Sequence, residues 1–248
     1  MKIKVLGTGN AFNQEARLNS AYLIETTQAA ILIDCGFTVP LALQKASIQF
    51  SSIDYILITH YHGDHYAGLA SLLLGLKYVS PQYKKLTIIG PGDVKEKLID
   101  LFEVLYPGTK GLINELHIDF MPVNHLGDKL QTKYFDLEIY PMEHSDLALP
   151  VGYIFEKNGF KIGFSGDTCW HEGLTSFIES CDKLILECNF VEKVGEGHIS
   201  IQELESSELI QFKKKHIYLT HLHKESAKKA NELGYNFLSD GEELIFKV

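Results

Sequence analysis

Between Ile56 and Gly68 the chain reads "ILITHYHGDHYAG", an apolar run that ends in His60, His62, Asp64 and His65. Imidazole suits Zn, Mn and Fe, and a hard carboxylate fixes or bridges a second ion. With a strand running in and a helix running out, the tight turn between them lets His60 and His62 face one ion while Asp64 and His65 face another. Two ions about 3.5–4 Å apart can hold a bridging hydroxide and stabilise a leaving oxygen. A lone histidine reads best as a satisfied polar side chain; this density of donors reads as a metal site. Further donors stand at the ends of expected strands: His144 in "PMEHSD", Asp167 in "FSGDT" and His221 in "YLTHLH".

Such donors need rigid elements behind them. Short β-rich runs, "KIKVLG", "SAYLIET" and "AAILIDCG", come first, each bounded by turn residues. Residues 39–46 predict a short helix with Pro40 near its start. Residues 53–60 predict a buried strand, and 65–79 a helix by their periodicity. Residues 85–92 predict a strand and turn, in which "GPGD" is a turn and not a phosphate loop. Residues 93–106 predict an amphipathic helix capped by Asp93. In the second half, "FDLEIYPMEHS", "PVGYIFEKN" and "FKIGFSGDT" predict strands, the last two joined through Asn158-Gly159, a strong hairpin signal. A helix over 170–180, a strand over 181–190 and a helix over 200–212 follow, the last with a Ser200/Glu203 capping box. Residues 214–221 predict a strand, 224–234 a helix ended by Gly234, and 242–248 a last strand. Each half runs strands first and then alternates helix and strand, with no linker or compositional break. The expected fold class is α/β, as one domain over 1–248 with two sheets between helices. Asp34, His60, His144, Asp167 and His221 close strands, where ligands of open α/β sheets gather.

The 248 residues are 45% hydrophobic and 22% charged, which is ordinary for a soluble globular protein. A net charge of -9 disfavours a broad nucleic-acid surface. Cys35, Cys169, Cys181 and Cys188 form no CxxC pair and read as reduced thiols in a cytoplasmic protein. The opening "MKIKVLGTGN" lacks the apolar stretch of a signal peptide. "AGLASLLLGLKYV" is interrupted by Lys77 and too short to span a bilayer, so no membrane insertion is expected.

"HYHGDH" matches the HxHxDH motif of the metallo-β-lactamase superfamily, and His144, Asp167 and His221 fall in order at its third, fourth and fifth motifs. The resemblance covers nearly the whole chain. It implies an αββα four-layer sandwich, with one ion held by His60, His62 and His144, a second by Asp64, His65 and His221, and Asp167 bridging both. Asp34 in "LIDCG" matches the superfamily's early aspartate, which supports the metal-binding turn without being a ligand. Zn is the expected ion, and the same ligands accept Mn or Fe.

Three local features resemble the ribonuclease Z branch and its phosphodiesterase relatives. The opening carries Gly7, Thr8, Gly9, Arg17, Asn19 and Ser20. "GEGHISIQE" places His198 before a helix, where the branch has a histidine that faces the scissile phosphate and protonates the leaving oxygen. Phosphodiester cleavage calls for such a donor, because an alkoxide is a poor leaving group. "LILECNF" resembles the branch's His-Glu-Ala-Thr segment, so Glu187 is expected to orient His198 and keep it protonated. Leu186, Cys188 and Asn189 depart from that pattern. The long arm by which ribonuclease Z grips tRNA is also missing from its usual place, since "HSDLALPVGYIFEKNGFKIGFSGD" has room for one hairpin only.

The expected activity is therefore that of a dinuclear, ribonuclease Z-like phosphodiesterase using a metal-bound hydroxide, with Asp64, His198 and Glu187 as catalytic residues. Its substrate would be an RNA 3' end, as for an endonuclease, or a small nucleotide phosphodiester. The ribonuclease Z resemblance also implies a homodimer. A thioesterase or lactonase would need the metals but no His198–Glu187 donor, and a non-catalytic RNA-binding relative would lose ligands that are all present here. A di-iron redox enzyme would replace His62 and add a flavin module. Trp170 reads first as a packing residue, though at the rim it could stack a base. Lys213 to His216 read as a solvated helix end. His117, His125, His216 and His223 are not assigned to the site.

Overall fold

The structure, a computed structural model, describes residues 1–80, 83–123, 127, 129–193 and 197–247. The first half contributes β1 (Lys2–Gly7), β2 (Ala21–Glu25), β3 (Ala30–Ile33), β4 (Tyr55–Leu57), β5 (Leu86–Pro91) and β6 (Ile118–Val123). The second contributes β7 (Lys129–Gln131), β8 (Asp136–Pro141), β9 (Val151–Lys157), β10 (Phe160–Phe164), β11 (Lys183–Glu187), β12 (Ile217–Thr220) and β13 (Asn236–Phe237). The last strand, β14 (Glu243–Ile245), returns to pair antiparallel with β1. Two seven-stranded sheets result, ordered β14-β1-β2-β3-β4-β5-β6 and β13-β12-β11-β10-β9-β8-β7.

Alternating side chains divide these strands between two apolar layers. In β3, Ile31 and Ile33 face the other sheet while Leu32 faces outward; in β9, Tyr153 and Phe155 face inward and Ile154 outward. A period of two residues, with both faces apolar, makes each strand a near-continuous hydrophobic run. The inward residues of both sheets form the central core. The outer face of the first sheet packs against α1 (Val39–Lys45), α3 (Gly68–Tyr78) and α4 (Val94–Leu105), with the short α2 (Gly63–Tyr66) before α3. The outer face of the second packs against α5 (Glu172–Glu179), α6 (Ile201–Ser206), α7 (Glu208–Lys213) and α8 (Lys224–Glu232). Three apolar layers between four structural ones give the αββα sandwich that the resemblance implied.

In each sheet an antiparallel section leads into a parallel one, β3 to β6 in the first and β10 to β13 in the second. Parallel neighbours require crossovers, which the helices supply. Their consequence is functional. Asp34 follows β3 directly, His60 lies three residues past β4, Asp167 three past β10 and His221 directly after β12. Glu187 is the last residue of β11.

Several elements differ from expectation. The strand expected over 53–60 ends at Leu57, which leaves the chain free to turn before His60. The helix expected over 65–79 is two helices meeting at Ala67, and that over 200–212 divides at Ser207, whose hydroxyl caps the second piece. β6, β7 and β13 carry no clear period, so the sequence does not predict them. The Asn158-Gly159 turn is confirmed: both residues have positive φ, 53° and 81°, as a twisted two-residue hairpin requires. Lys213 is not a solvated end, since its ammonium donates to the carbonyls of Ile178, Glu179 and Cys181 at 2.7, 2.8 and 3.0 Å.

Phe155 is fully buried in the central core and stacks on Phe135 at 4.9 Å between centroids. Phe155→Ala is expected to lower the free energy of unfolding by about 3–5 kcal/mol, seen as a lower urea midpoint with an unchanged slope.

Candidate metal centre

All seven donors expected from the sequence meet at one end of the two sheets. One ligand atom from each of His60, His62 and His144 lies within 4.8 Å of the others, and so do atoms of Asp64, His65, Asp167 and His221. Asp167 faces both groups. Its Oδ2 is 3.8 Å from His60 Nε2, 3.9 Å from His144 Nε2 and 3.4 Å from His221 Nε2, while Oδ1 is 3.3 Å from His65 Nε2. Asp64 Oδ2 lies 3.4 Å from both His65 Nε2 and His221 Nε2.

The imidazoles are aimed from behind. His65 Nδ1–H donates to Asp34 Oδ2 at 2.7 Å, and Asp34 also accepts from Thr59 N–H and the Thr59 hydroxyl, each at 2.8 Å. His60 Nδ1 sits 3.1 Å from the Thr59 oxygen, which accepts its proton because the hydroxyl hydrogen is given to Asp34. His144 Nδ1–H donates to the carbonyl of Gly197 at 2.5 Å. Gly36 permits the close approach on which the turn depends, as a Cβ there would stand 1.9 Å from the carbonyl oxygen of Asp64.

The donor set fits divalent ions. His60 Nε2 and His65 Nε2 are buried and meet no hydrogen-bond partner among the described residues. Burial, followed by the neighbouring His65, holds His60 well below its ordinary pKa, so it offers a neutral lone pair. Burial also lowers His144. Burial alone would raise Asp167, but His221, His65 and His60 outweigh it and hold the carboxyl well below its usual range. Neutral imidazoles at His60 and His144 beside an ionised Asp167 are what a divalent ion requires. Burial would lower His65 too, but Asp167, Asp64 and Asp34 outweigh it and hold it well above its ordinary pKa, so His65 gives up a proton as an ion binds.

His198 stands above this cluster. Its ring centroid is 4.7 Å from that of His144 and 5.3 Å from that of His221, on which it stacks. Its Nδ1–H donates to Glu187 Oε1 at 2.8 Å. Glu187 is fully buried and is held in turn by the backbone N–H of Thr168 at 3.0 Å and of Asn189 at 3.2 Å. Burial would lower His198, but the Glu187 charge and hydrogen bond, with Asp167 behind them, raise it to about 9.

The opening segment supports this site from the side. Thr8 O accepts from His221 N–H at 3.0 Å, Arg17 donates to Leu222 O at 2.6 Å, and Asn19 Oδ1 accepts from the Thr38 backbone and hydroxyl. In the sequence Thr59 carries no signal beyond a hydroxyl beside the motif. His223 turns away, pairing with Glu225 and standing 2.9 Å from Gln14. Trp170 packs on the outer core of the second sheet. His117 and His216 lie on the surface away from the cluster, and His125 lies outside the described residues.

A four-layer sandwich with paired histidine and aspartate clusters at its strand ends is a metallo-β-lactamase fold. Solved structures with this fold include YhfI from Bacillus subtilis, with a TM-score of 0.76, 21% identity and 98% of both chains covered. The short form of human tRNase Z has a TM-score of 0.75 and 22% identity, with 100% of both chains covered. The chain belongs to the Anti-Pycsar protein Apyc1 family, whose model matches residues 1–243. The protein of that name from Bacillus phage BSP38 is 30% identical over 214 residues, 82% of each chain. A Ribonuclease Z from Ignicoccus hospitalis is 27% identical over 242 residues, 80% of each chain.

Asp34 orients a donor in each cluster, so Asp34→Ala is expected to weaken metal binding about 10–100-fold, measured by competition with a chromophoric chelator.

Proposed function

We propose that this chain cleaves a small nucleotide phosphodiester at a two-metal site, with His198 as the acid that protonates the leaving oxygen. The chain is a metallo-hydrolase acting on phosphodiester bonds. In the finer reading His60, His62 and His144 hold one ion, Asp64, His65 and His221 the other, and Asp167 bridges them. Zn is the favoured ion, given the imidazole-rich first group. Such ions lower the pKa of water to near neutrality and stabilise charge on phosphoryl oxygens.

The observation that carries this reading is the 2.8 Å pair between His198 and Glu187 over the ligand cluster. A thioester or lactone needs no such acid. Glu187 fixes the ring and keeps its proton on Nδ1, leaving Nε2–H as the group available to the departing alkoxide. Asp64, within reach of the same space, is assigned to orient the nucleophile as well as to bind metal. The small substrate is supported by the interval between His144 and Asp167, which is a short turn followed by the β9–β10 hairpin. A net charge of -9 works in the same direction, against a long RNA.

The return of β14 to β1 supports one domain over 1–248. The four free cysteines support a reducing, cytoplasmic setting, and no helix among the described residues is long and apolar enough to cross a membrane. The homodimer rests on the ribonuclease Z resemblance.

Hydrolysis of bis(p-nitrophenyl) phosphate, cyclic nucleotides and precursor tRNA should be compared with that of a thioester and a lactone. Turnover of the small phosphodiesters is expected, and His198→Ala should lower kcat by about 10²–10⁴-fold at unchanged metal content. Cleavage of the esters alone would transfer the chain to the thioesterase or lactonase class, and a strong preference for precursor tRNA would overturn the small substrate. Since His198 acts protonated, activity falls as pH rises through its pKa. Glu187→Gln removes the charge that raises this pKa, so the alkaline limb of the kcat profile is expected to move to lower pH.

A further inference from the structure

Three imidazoles of the cluster have an acceptor for the ring N–H that faces away from it: His60 has Thr59, His65 has Asp34 and His144 has the Gly197 carbonyl. His221 differs. Its Nε2 faces Asp64 and Asp167, while Nδ1 is buried and meets no partner among the described residues. A neutral imidazole that offers Nε2 to an ion carries its proton on Nδ1, and a buried N–H without an acceptor is strongly disfavoured.

Beneath the cluster, between the two sheets, lies a cavity of about 20 Å³ whose wall is largely apolar, with Ile33, Phe164 and Ile185, and in which His221, Tyr22 and Thr220 supply polar groups. A volume of about 10–15 Å³ suffices for one water, provided polar groups surround it. The hydroxyls in its wall form a chain with one direction. Ser20 O–H donates to Gly9 O at 3.1 Å, so the Ser20 oxygen can accept from Thr220 at 3.4 Å. Thr220 in turn accepts from Tyr22, 2.5 Å away. Each hydrogen in the chain is thus used, and the Tyr22 oxygen is left with a lone pair to offer.

We propose that one buried water occupies this cavity, accepts His221 Nδ1–H and donates to the Tyr22 oxygen, which makes Tyr22 a positioning residue for His221. The inference rests on the reading of His221 as a metal ligand. The water fixes the tautomer and the ring angle, as Asp34 does directly for His65.

A high-resolution crystal structure of the Zn-loaded protein is the first test. A water within hydrogen-bond distance of both His221 Nδ1 and Tyr22 Oη is expected. With His221 on the ion, a dry cavity or a protein acceptor at Nδ1 overturns the proposal and leaves the metal reading intact; His221 off the ion defeats both. Tyr22→Phe keeps the ring and removes the acceptor, and is expected to lower the affinity for one of the two ions about tenfold. Its ¹⁵N spectrum should also show a shifted or broadened His221 Nδ1–H signal. Unchanged affinity and an unchanged signal overturn the positioning role, and the wild-type structure decides the matter should Tyr22→Phe not fold.

Discussion

The site depends on where the Asp34 carboxylate is held. It sits at the end of β3 with φ of 60° and is almost wholly buried. It accepts a backbone N–H, a hydroxyl and an imidazole N–H from the motif turn beyond β4. Through Thr59 it aims His60, and directly it aims His65, one donor in each cluster. A left-handed conformation is costly for a residue with a side chain. Here it turns the carboxylate toward a neighbouring strand end, where three charge-assisted hydrogen bonds offset that cost.

Around this anchor the fold concentrates groups that an apolar interior would otherwise reject. His60, Asp64, His65, Asp167, Glu187 and His221 are all buried. Burial keeps His60 neutral, and Asp64 and Asp167 remain ionised despite burial because imidazoles surround them, whereas burial raises Glu187 above its ordinary pKa. Such a cluster is poorly compensated by itself. Divalent ions complete it, so metal binding and stability of this end of the sandwich are linked.

His198 joins the cluster by a different route. It lies in the loop before α6, and the carbonyl of Gly197 receives the His144 proton. The link that aims His144 therefore also places His198. Gly197 has φ of +107°, and a Cβ there would come within 3.0 Å of His144 Nδ1, so the connection is short because this residue lacks a side chain. Glu187 closes the arrangement from the other side, as the last residue of β11, braced by two backbone N–H groups.

Much of this was legible in the sequence. The density of donors around His60, the β-rich runs that become β3 and β9, the Asn158-Gly159 turn and the Ser200/Glu203 box are local features set by spacing and side-chain chemistry, and each occurs as read. The sequence likewise determined which residues could bind metal and which could donate a proton. The motif resemblance already implied the division of the seven donors around Asp167, and the fold brings the same two groups together. That Thr59 relays Asp34 to His60 was not legible, because this contact joins residues far apart in the chain and is set by strand register. The breaks at Ala67 and Ser207 and the marginal strands β6, β7 and β13 follow from packing against neighbours, which outweighs weak local propensity. The orphaned Nδ1 of His221 and the small cavity beneath it belong wholly to the tertiary structure, since only the meeting of two sheets brings Ser20, Tyr22 and Thr220 under one imidazole.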